Sequence, residues 1–488
     1  MRRLNYWMLV PLLLGGFTAT VMTSCSEEDN PIGPEATELC LTVNGEHYDI
    51  SLPATEVVNL KTLCTEFDAD IQIGNAEEFQ SITVNGQTLN DGRCAISITE
   101  IAQDKQIEIA YTSAGVSGAV NLNTLHAGIP DIEARGRALI PGDFYLSFIY
   151  QRLIMKYDNE GRILYYRYDP TPLAGTFSET GYWDFKKHVF DGKTYYSYHA
   201  PDPAFADRAF TGYDPGMRVL LDDHYCPVDT IHAKASRDGF LKDGDPLDGH
   251  DFYFFSPTHY IASASYIERE VGGQPLAVCY LQEVKDGVVV FDWWSSDHPE
   301  MASWCSPIFD YSYDYVHFNS VQVLPDGNWF CSFRILNSLL KIDRVNGTGD
   351  IIWRIAGDKL PEAQSFYGQH YATLHEDNTL TVFDNGNGHD PQCTRVLRLN
   401  VNPDTGEVTG GGDMLNPGGD YFTQACGAVQ LFGDRFVVGW GWGMEFANND
   451  RLVTEHNAEG REIFGLYRHR LRYRVNSINS SYRCVKYQ

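Results

Sequence analysis

The stretch LKIDRVNGTGDIIW, residues 340–353, joins two apolar runs through a turn that is rich in Asp, Asn and Gly. Short apolar runs on both sides of such a turn are typical of two antiparallel strands. Asp and Asn favour tight turns, and Gly adopts the positive φ that many of them require. The stretch therefore predicts a β-hairpin.

This turn recurs along the chain, which makes it one half of an internal repeat. The other copies are MKYDNEGRILYY (155–166), LQEVKDGVVVFDWW (281–294), LRLNVNPDTGEVTG (397–410) and VTEHNAEGREIFGL (453–466). The turn glycines, Gly161, Gly287, Gly349, Gly406 and Gly460, are 126, 62, 57 and 54 residues apart. Because the first gap is about twice the others, we expect a degenerate copy near residue 224.

Six units of about 60 residues each have the size of propeller blades. The sequence therefore predicts an all-β fold, with a six-bladed β-propeller over residues 129–488. Closing six blades into a ring removes exposed sheet edges. A solenoid is the structural alternative, although it would favour shorter periods and capping units. Residues 38–128 contain shorter strands separated by Asn-Gly and Asp-Gly turns, and they predict a small N-terminal β-sandwich.

The chain has 488 residues, 29 Tyr, 26 Phe and 9 Trp, and a formal net charge of −28. This charge argues against nucleic acid as a partner, because phosphate contacts need clustered Lys and Arg. Eleven cysteines are present. If Cys25 is set aside, three precede residue 100 and seven follow it, so either a cross-domain disulfide or free thiols are expected.

The N-terminus has the pattern of a targeting segment. Arg2 and Arg3 precede an apolar run, and small residues lead to Cys25. Residues 1–25 resemble a lipoprotein signal peptide with Cys25 as the lipidated residue, and residues 26–37 resemble a tether. An ordinary signal peptide ending near Ser24 is the alternative. We expect an exported lipoprotein of the outer membrane, on the periplasmic side or the cell surface, held to the membrane only by its lipid anchor.

The other half of the repeat is the hairpin YVHFNSVQVLPDGNWFCSFR, residues 315–334. His317 and Asn319 are two residues apart on its first strand, which predicts that they share a face. Arg334 ends the paired strand. Alignment on the turn places His250, His370 and Cys426 in the position of Asn319, at intervals of 69, 51 and 56 residues.

Equivalent residues of different blades meet near the propeller axis, so the alignment predicts a cluster of three imidazoles, an amide and a guanidinium. Buried polar groups need partners, which favours function for the set. Three His side chains also suit Zn²⁺. Arg334 argues against a metal, because a fixed cation repels it. The set is better suited to an oxyanion such as sulfate or phosphate.

The stretches HDFYFFSPTHY (250–260), VHFNSVQVLPDGNWFCSFR (316–334), LKIDRVNGTGDIIWRIAGD (340–358) and QHYATLHEDNTLTVFDNG (369–386) together resemble the bacterial aryl-sulfate sulfotransferases. The resemblance implies an exported enzyme that moves a sulfuryl group from a phenolic sulfate ester to an acceptor phenol. It also implies a ping-pong mechanism without a cofactor, and a homodimer as a candidate assembly.

Carried over to this sequence, the resemblance implies that His370 becomes transiently sulfated. It gives His250, His317, Asn319 and Arg334 the tasks of holding the sulfuryl oxygens and assisting proton movement. Cys426 stands where a hydroxyl residue such as Thr is expected, and a thiol is a poorer donor. Two other functions stay open: a non-catalytic surface propeller that binds a ligand or partner, and a metal-dependent propeller hydrolase or lyase.

Overall fold

A computed structural model of the chain gives the fold. It describes residues 35–54, 58–60, 62–64, 68–97, 106–123, 129–130, 132–169, 181–208, 212–265, 267–309, 313–417, 421–443, 450–468 and 481–488. The predicted signal peptide with Cys25 and most of the predicted tether lie outside these residues. Nearly all regular structure is β, so the predicted all-β class is confirmed. Within the described ranges, no helix is long and apolar enough to cross a membrane.

Ten strands form the N-terminal region. They are β1 (Glu38–Val43), β2 (Glu46–Ser51), β3 (Val58–Asn59), β4 (Thr62–Cys64), β5 (Asp68–Ile73), β6 (Ser81–Val84), β7 (Gln87–Thr88), β8 (Arg93–Ser97), β9 (Gln106–Ser113) and β10 (Val116–Asn123). Nine of them form two sheets, in the orders β2-β1-β5-β8 and β3-β10-β9-β6-β7. Alternating apolar residues such as Leu39, Leu41, Ile109 and Val120 pack in one buried core.

The rest of the chain contains 27 further strands among the described residues. They are β11 (Ile132–Gly136), β12 (Asp143–Phe148), β13 (Leu153–Tyr157), β14 (Ile163–Tyr168), β15 (Trp183–Phe190), β16 (Lys193–Pro201), β17 (Gly216–Leu221), β18 (Pro227–Ile231), β19 (Phe252–Ser256), β20 (His259–Ser263), β21 (Ile267–Val271), β22 (Gln274–Val278), β23 (Tyr280–Lys285), β24 (Val288–Trp294), β25 (Phe318–Val323), β26 (Trp329–Phe333), β27 (Ser338–Ile342), β28 (Ile351–Ala356), β29 (His370–Leu374), β30 (Thr379–Asp384), β31 (Arg395–Val401), β32 (Val408–Leu415), β33 (Ala428–Phe432), β34 (Arg435–Gly439), β35 (Arg451–His456), β36 (Glu462–Arg468) and β37 (Ser481–Tyr487). The short 3₁₀ helices are Ala76–Glu78, Pro203–Arg208, Ser295–Asp297, Pro299–Trp304 and Gly357–Lys359.

These strands form six antiparallel sheets of four or five strands, together with the separate hairpin β21-β22. The sheet orders are β37-β12-β13-β14-β4, β15-β16-β17-β18, β19-β20-β23-β24, β25-β26-β27-β28, β29-β30-β31-β32 and β33-β34-β35-β36-β11. We call β37, β15, β19, β25, β29 and β33 the leading strands. Each leading strand contacts the next, and β33 contacts β37. The six sheets therefore follow one another in a cyclic order of contacts, and the closed six-bladed ring stays a prediction.

The repeated turn joins the last two strands of the repeat in every sheet. Each of the five predicted turn glycines has φ between +74° and +81°. The expected degenerate copy lies between β17 and β18, where Tyr225 takes the left-handed conformation with φ +59°. Its ring stacks on Tyr165 and Tyr196, with centroids 3.7 and 4.3 Å away. Aromatic packing therefore holds a backbone conformation that Gly adopts without strain elsewhere.

Two of the sheets combine strands that are far apart in the sequence. The first sheet pairs β12 with β37, and Phe144 lies opposite Lys486. The last sheet pairs β36 with β11, which precedes β12 in the chain. The first sheet also receives β4 from the N-terminal region, with Tyr166 opposite Leu63. These pairings fasten both ends of the larger region and join it to the N-terminal region.

A buried group of charged residues lies among the leading strands. Asp184 on β15 accepts hydrogen bonds from Arg218 at 2.9 Å and from Arg483 on β37 at 2.7 Å. Arg483 also donates to Asp251 at 3.1 Å. Lys186 contacts both carboxylates. Although burial alone would raise the pKa of Asp184, these three cations hold it well below its usual value.

Candidate active site

His370 is the first residue of β29, and its buried ring is held at both nitrogens. Nδ1 lies 2.7 Å from the side-chain oxygen of Asn385 and 3.2 Å from the carbonyl oxygen of Gly368. Both partners are acceptors, so Nδ1 carries the proton. Nε2 accepts the main-chain N–H of Cys426 at 3.1 Å. The lone pair of Nε2 is therefore directed at the segment that precedes β33.

His250 and His317 precede β19 and β25, and each ring is paired with a carboxylate. His250 Nδ1 donates to Asp248 at 2.6 Å, and His317 Nδ1 donates to Asp314 at 2.5 Å. The two ring centroids are 4.8 Å apart in an edge-to-face arrangement. The ring of Tyr213 contacts both imidazoles, at 5.1 and 4.9 Å, and its hydroxyl donates to Asp314. Predicted residues from neighbouring sheets are thus in direct contact.

Arg334 follows β26 and is buried beside these rings. One guanidinium nitrogen donates to the carbonyl oxygen of Gln424 at 3.1 Å, and the group lies over the ring of Phe309 at 4.6 Å. Its charge disfavours protonation of His317 and His370, because it lies close enough to lower the pKa of both. The structure therefore brings His250, His317, Arg334 and His370 together at one end of the leading strands.

Asn319 lies inside β25, and a bulge between Phe318 and Ser320 interrupts the alternation of faces there. The same-face argument for His317 and Asn319 does not hold at such a bulge. The amide nitrogen of Asn319 donates to the main-chain oxygen of Gln369 at 2.7 Å. Its buried side-chain oxygen has no hydrogen-bond partner within the described part of the chain. Asn319 therefore fixes the residue that immediately precedes His370.

Cys426 reaches the site through its main chain. Its N–H contacts His370, and its carbonyl oxygen accepts a hydrogen bond from Asn385 at 3.0 Å. The residue has φ +63°, and Gly427 follows with φ +102°. These contacts with His370 and Asn385 belong to backbone atoms, which a Thr in this position would also provide. Donation from the Cys426 thiol to a sulfuryl oxygen stays a prediction.

Burial sets the protonation of the central imidazole. Desolvation, followed by the nearby charge of Arg334, holds the pKa of His370 well below its usual 6.5. Burial also lowers the pKa of His317, although Asp314 acts against this shift. His370 is therefore neutral at neutral pH, as a nucleophilic imidazole must be.

The residues behind the rings were not predicted individually. Asp248 precedes His250 by two positions, Asp314 precedes His317 by three, and Asn385 lies in an Asp-Asn-Gly stretch, a sequence that is common in turns. An Asp shortly before each of two candidate histidines was the available signal. It is weak, because Asp is common in loops for conformational reasons.

Metal-ligating side chains also meet outside this cluster. Among the residues that the structure describes, the group of three with ligand atoms within 4.8 Å of one another is Asp222, Asp223 and His224, in the turn before β18. Asp223 and His224 are exposed. The nine cysteines whose side chains are described are free thiols: Cys40, Cys94, Cys226, Cys279, Cys305, Cys331, Cys393, Cys426 and Cys484.

Residues 283–464 match the family model described as Arylsulfotransferase (ASST). The resemblance to the arylsulfotransferases is confirmed. The arylsulfotransferase match includes His317, Asn319, Arg334, His370 and Cys426, whereas His250 precedes it. The match supports arylsulfotransferase function in general terms, with small aryl compounds as substrates.

Solved structures with similar folds are distant from this arylsulfotransferase-like chain. A protein of unknown function from Bacteroides caccae has 9% identity and a TM-score of 0.39, over 71% of this chain and 99% of its own. A quinoprotein alcohol dehydrogenase-like protein from Bacteroides thetaiotaomicron has 11% identity and a TM-score of 0.33, over 85% and 96%. A virginiamycin B lyase from Staphylococcus aureus has 9% identity and a TM-score of 0.28, over 69% and 99%. No curated protein matches the chain.

Proposed function

We propose that this protein transfers a sulfuryl group from a phenolic sulfate ester to an acceptor phenol through a sulfated His370. The observation that carries the proposal is the meeting of three buried imidazoles with the guanidinium of Arg334, within or next to the region that matches the arylsulfotransferases. A guanidinium beside one neutral, nucleophilic imidazole suits an anionic group that arrives, changes partner and leaves.

In the first half-reaction, Nε2 of His370 attacks the sulfur in line and the aryl oxygen leaves. A phenolate is a good leaving group, since the pKa of a phenol is about 10. The guanidinium of Arg334 stabilises the charge on the transferring group by its fixed position. The N–H of Cys426, which occupies Nε2 without substrate, is then free to donate to a sulfuryl oxygen.

The second half-reaction reverses the first with a different phenol. His250 or His317 takes the proton from the incoming hydroxyl, because each is within ring contact of the other and backed by a carboxylate. A covalent N–S intermediate divides one difficult transfer into two easier steps and implies ping-pong kinetics.

The test uses the purified protein with a chromogenic aryl sulfate, with and without a second phenol, in the presence of a chelator. We expect phenol-dependent release of the chromophore that the chelator does not affect. His370→Asn is expected to remove turnover and the covalent adduct, whereas His375→Asn, a replacement just beyond the end of the same strand, serves as the matched control. Release that depends on metal and not on an acceptor phenol would contradict the proposal.

Arg334→Ala tests the anion site separately. It is expected to lower turnover by at least about a hundredfold with the fold intact, since removal of one preorganised charge stabiliser typically has an effect of this size. Circular dichroism would verify the fold. A change confined to KM would show that Arg334 only binds the donor.

We also propose that the protein is exported and anchored through Cys25. The sequence pattern before Cys25 supports this placement. Cys25→Ser should move the protein from the membrane fraction to the soluble fraction of the producing cell, and continued membrane attachment would contradict the proposal.

A further inference from the structure

The three clustered histidines differ in the group that contacts Nδ1. His370 donates to the neutral amide oxygen of Asn385. His250 and His317 donate to the carboxylates of Asp248 and Asp314. All three rings are buried, so the partner on Nδ1 is a large part of what distinguishes them.

The orientation of Asn385 is set by its own hydrogen bonds. Its amide nitrogen donates to the main-chain oxygens of Thr423 at 2.9 Å and Cys426 at 3.0 Å. A reversed amide would place its oxygen against both carbonyls, so the side-chain oxygen must face His370. This arrangement keeps the proton on Nδ1 of His370 and the lone pair on Nε2.

A carboxylate and an amide affect the charge of a buried imidazole differently. A carboxylate partner stabilises the imidazolium form, whereas a neutral amide stabilises neither charge. The ionisable groups that face His370 are Arg334, His317 and His250. Those that face His317 are Asp314, His250 and Arg334, and the ring of Tyr213 also contacts it. His250 faces Asp248, His317, Tyr213 and His199.

We propose that the Nδ1 partners divide the work of the three histidines: Asn385 is a positioning residue that keeps His370 a neutral nucleophile, and Asp248 and Asp314 are positioning residues that let His250 and His317 carry the transferred proton. This inference rests on the proposed function and gives Asn385, Asp248 and Asp314 a part in it.

In the sulfation of His370, the bond between its Nε2 and sulfur forms while the bond between sulfur and the aryl oxygen breaks. The leaving oxygen takes the proton from Nε2 of an Asp-backed imidazolium, which becomes neutral. His370 keeps the proton on its Nδ1, where it is hydrogen-bonded to Asn385. The sulfated ring is therefore cationic, and its sulfonate is anionic. The acceptor phenol then returns its proton to the Asp-backed imidazole as the sulfuryl group moves to its oxygen.

The first experiment compares two donors in single-turnover formation of the adduct: phenyl sulfate and 4-nitrophenyl sulfate, whose leaving group needs less protonation. The variants are Asp248→Asn and Asp314→Asn, with Asp222→Asn in a remote turn as the matched control. In at least one of the two site variants, we expect the rate of adduct formation to fall at least about tenfold more with phenyl sulfate than with 4-nitrophenyl sulfate. Equal losses with both donors, in both variants, would overturn the proton-carrying assignment.

The second experiment replaces Asn385 by Asp, with Asn457→Asp in a remote turn as the control. A carboxylate on Nδ1 should raise the pKa of His370, so the acidic limb of the pH profile for adduct formation should move to higher pH. The acidic limb should move by the same amount with both donors. An unchanged limb, or an effect that depends on the donor, would overturn the role of Asn385.

A readout without turnover separates this inference from the proposed function. Ring-¹⁵N-histidine labelling of the wild-type protein reports which nitrogen of His370 is protonated, with His370→Asn used to assign its signals. We expect protonated Nδ1 and unprotonated Nε2 throughout the neutral pH range. The opposite tautomer would refute the inference directly. Absence of phenol-dependent transfer in a protein with the expected tautomer would instead refute the proposed function.

Discussion

The main-chain N–H of Cys426 donates a hydrogen bond to Nε2 of His370 over 3.1 Å. This is the nitrogen that the proposed function uses as the nucleophile, so the donor that satisfies it without substrate is already beside the reacting atom. The donor belongs to the backbone, which is held in a left-handed conformation at Cys426. The rate of adduct formation should therefore depend less on the side chain at this position than on the placement of the peptide group.

Replacing Cys426 by Thr or Ala should leave the rate of adduct formation within about fivefold of the wild-type rate, because both replacements keep the N–H. Steady-state and single-turnover assays with an aryl sulfate would measure this. The matched comparison is Asn385→Ala, which removes the groups that hold the Cys426 carbonyl and His370. A loss of a hundredfold in Cys426→Ala would show that the thiol itself acts.

Acid should destabilise the fold through buried neutral histidines. Burial lowers the pKa of His199 and of His456 to about 4, below the usual 6.5. Between these values the unfolded chain binds protons that the folded chain does not, so stability is complete above pH 6.5 and falls as the pH drops toward 4. Each residue should contribute a loss of roughly 3 kcal/mol over this window.

Urea unfolding of the wild type and of His456→Gln, from pH 7 to pH 4, measures one of these contributions. The variant should lose a smaller part of its unfolding free energy across the window, whatever its stability at pH 7. Replacement of the exposed His224 by Gln is the control. Equal pH dependence in the wild type and His456→Gln would show that this histidine does not contribute.

The stability of the fold should depend on each cation of the buried charged group among the leading strands. Arg483→Met leaves Asp184 and Asp251 with one fewer partner. Loss of one partner from a buried ion pair typically costs about 3–5 kcal/mol of unfolding free energy. Arg162→Met is the surface control, since this side chain is 75% exposed and water screens its pair with Asp158. Similar values for the two variants would contradict the prediction.

The turn with Tyr225 should tolerate glycine poorly, even though glycine stands in the equivalent turns. Removing the ring costs about 3 kcal/mol of packing between Tyr165 and Tyr196. Relief of the left-handed conformation returns about 1 kcal/mol. Thermal or urea unfolding of Tyr225→Gly should therefore show a net loss of about 2 kcal/mol. Increased stability would mean that backbone strain outweighs the packing.

The same experiment has an internal comparison in Gly287, whose equivalent turn has open space around it. Gly287→Ala introduces only backbone strain, so it should lower the unfolding free energy by about 1 kcal/mol. The pair of variants therefore separates the conformational contribution of the turn from the aromatic contribution.

The repeat could be predicted because its turns have a local cause. Glycine at Gly161, Gly287 and Gly349 satisfies a backbone requirement that the neighbouring sequence makes visible, and the spacing located the copy in which Tyr225 replaces it. The gathering of histidines followed from the same spacing. The class of chemistry followed from the resemblance to the arylsulfotransferases, which the family match supports in general terms.

The partners behind the rings could not be predicted in the same way. Asn385 faces His370 only because Thr423 and Cys426 fix its amide, and these contacts join loops of different sheets. The bulge at Asn319 breaks the alternation on which face assignments depend. The pairings of β4 with β14 and of β11 with β36 cross long sequence separations that no local pattern encodes.

The pairing of β12 with β37 has a consequence for the synthesis of the protein. Residues 481–488 supply Tyr482, whose hydroxyl donates to the main chain of His250, and Arg483, which donates to the main chain of Asn319. A ribosome must therefore translate β37 before His250 and Asn319 acquire this support. Polypeptides that terminate before β37, through a premature stop codon or proteolytic clipping, should lack the support and fold incompletely.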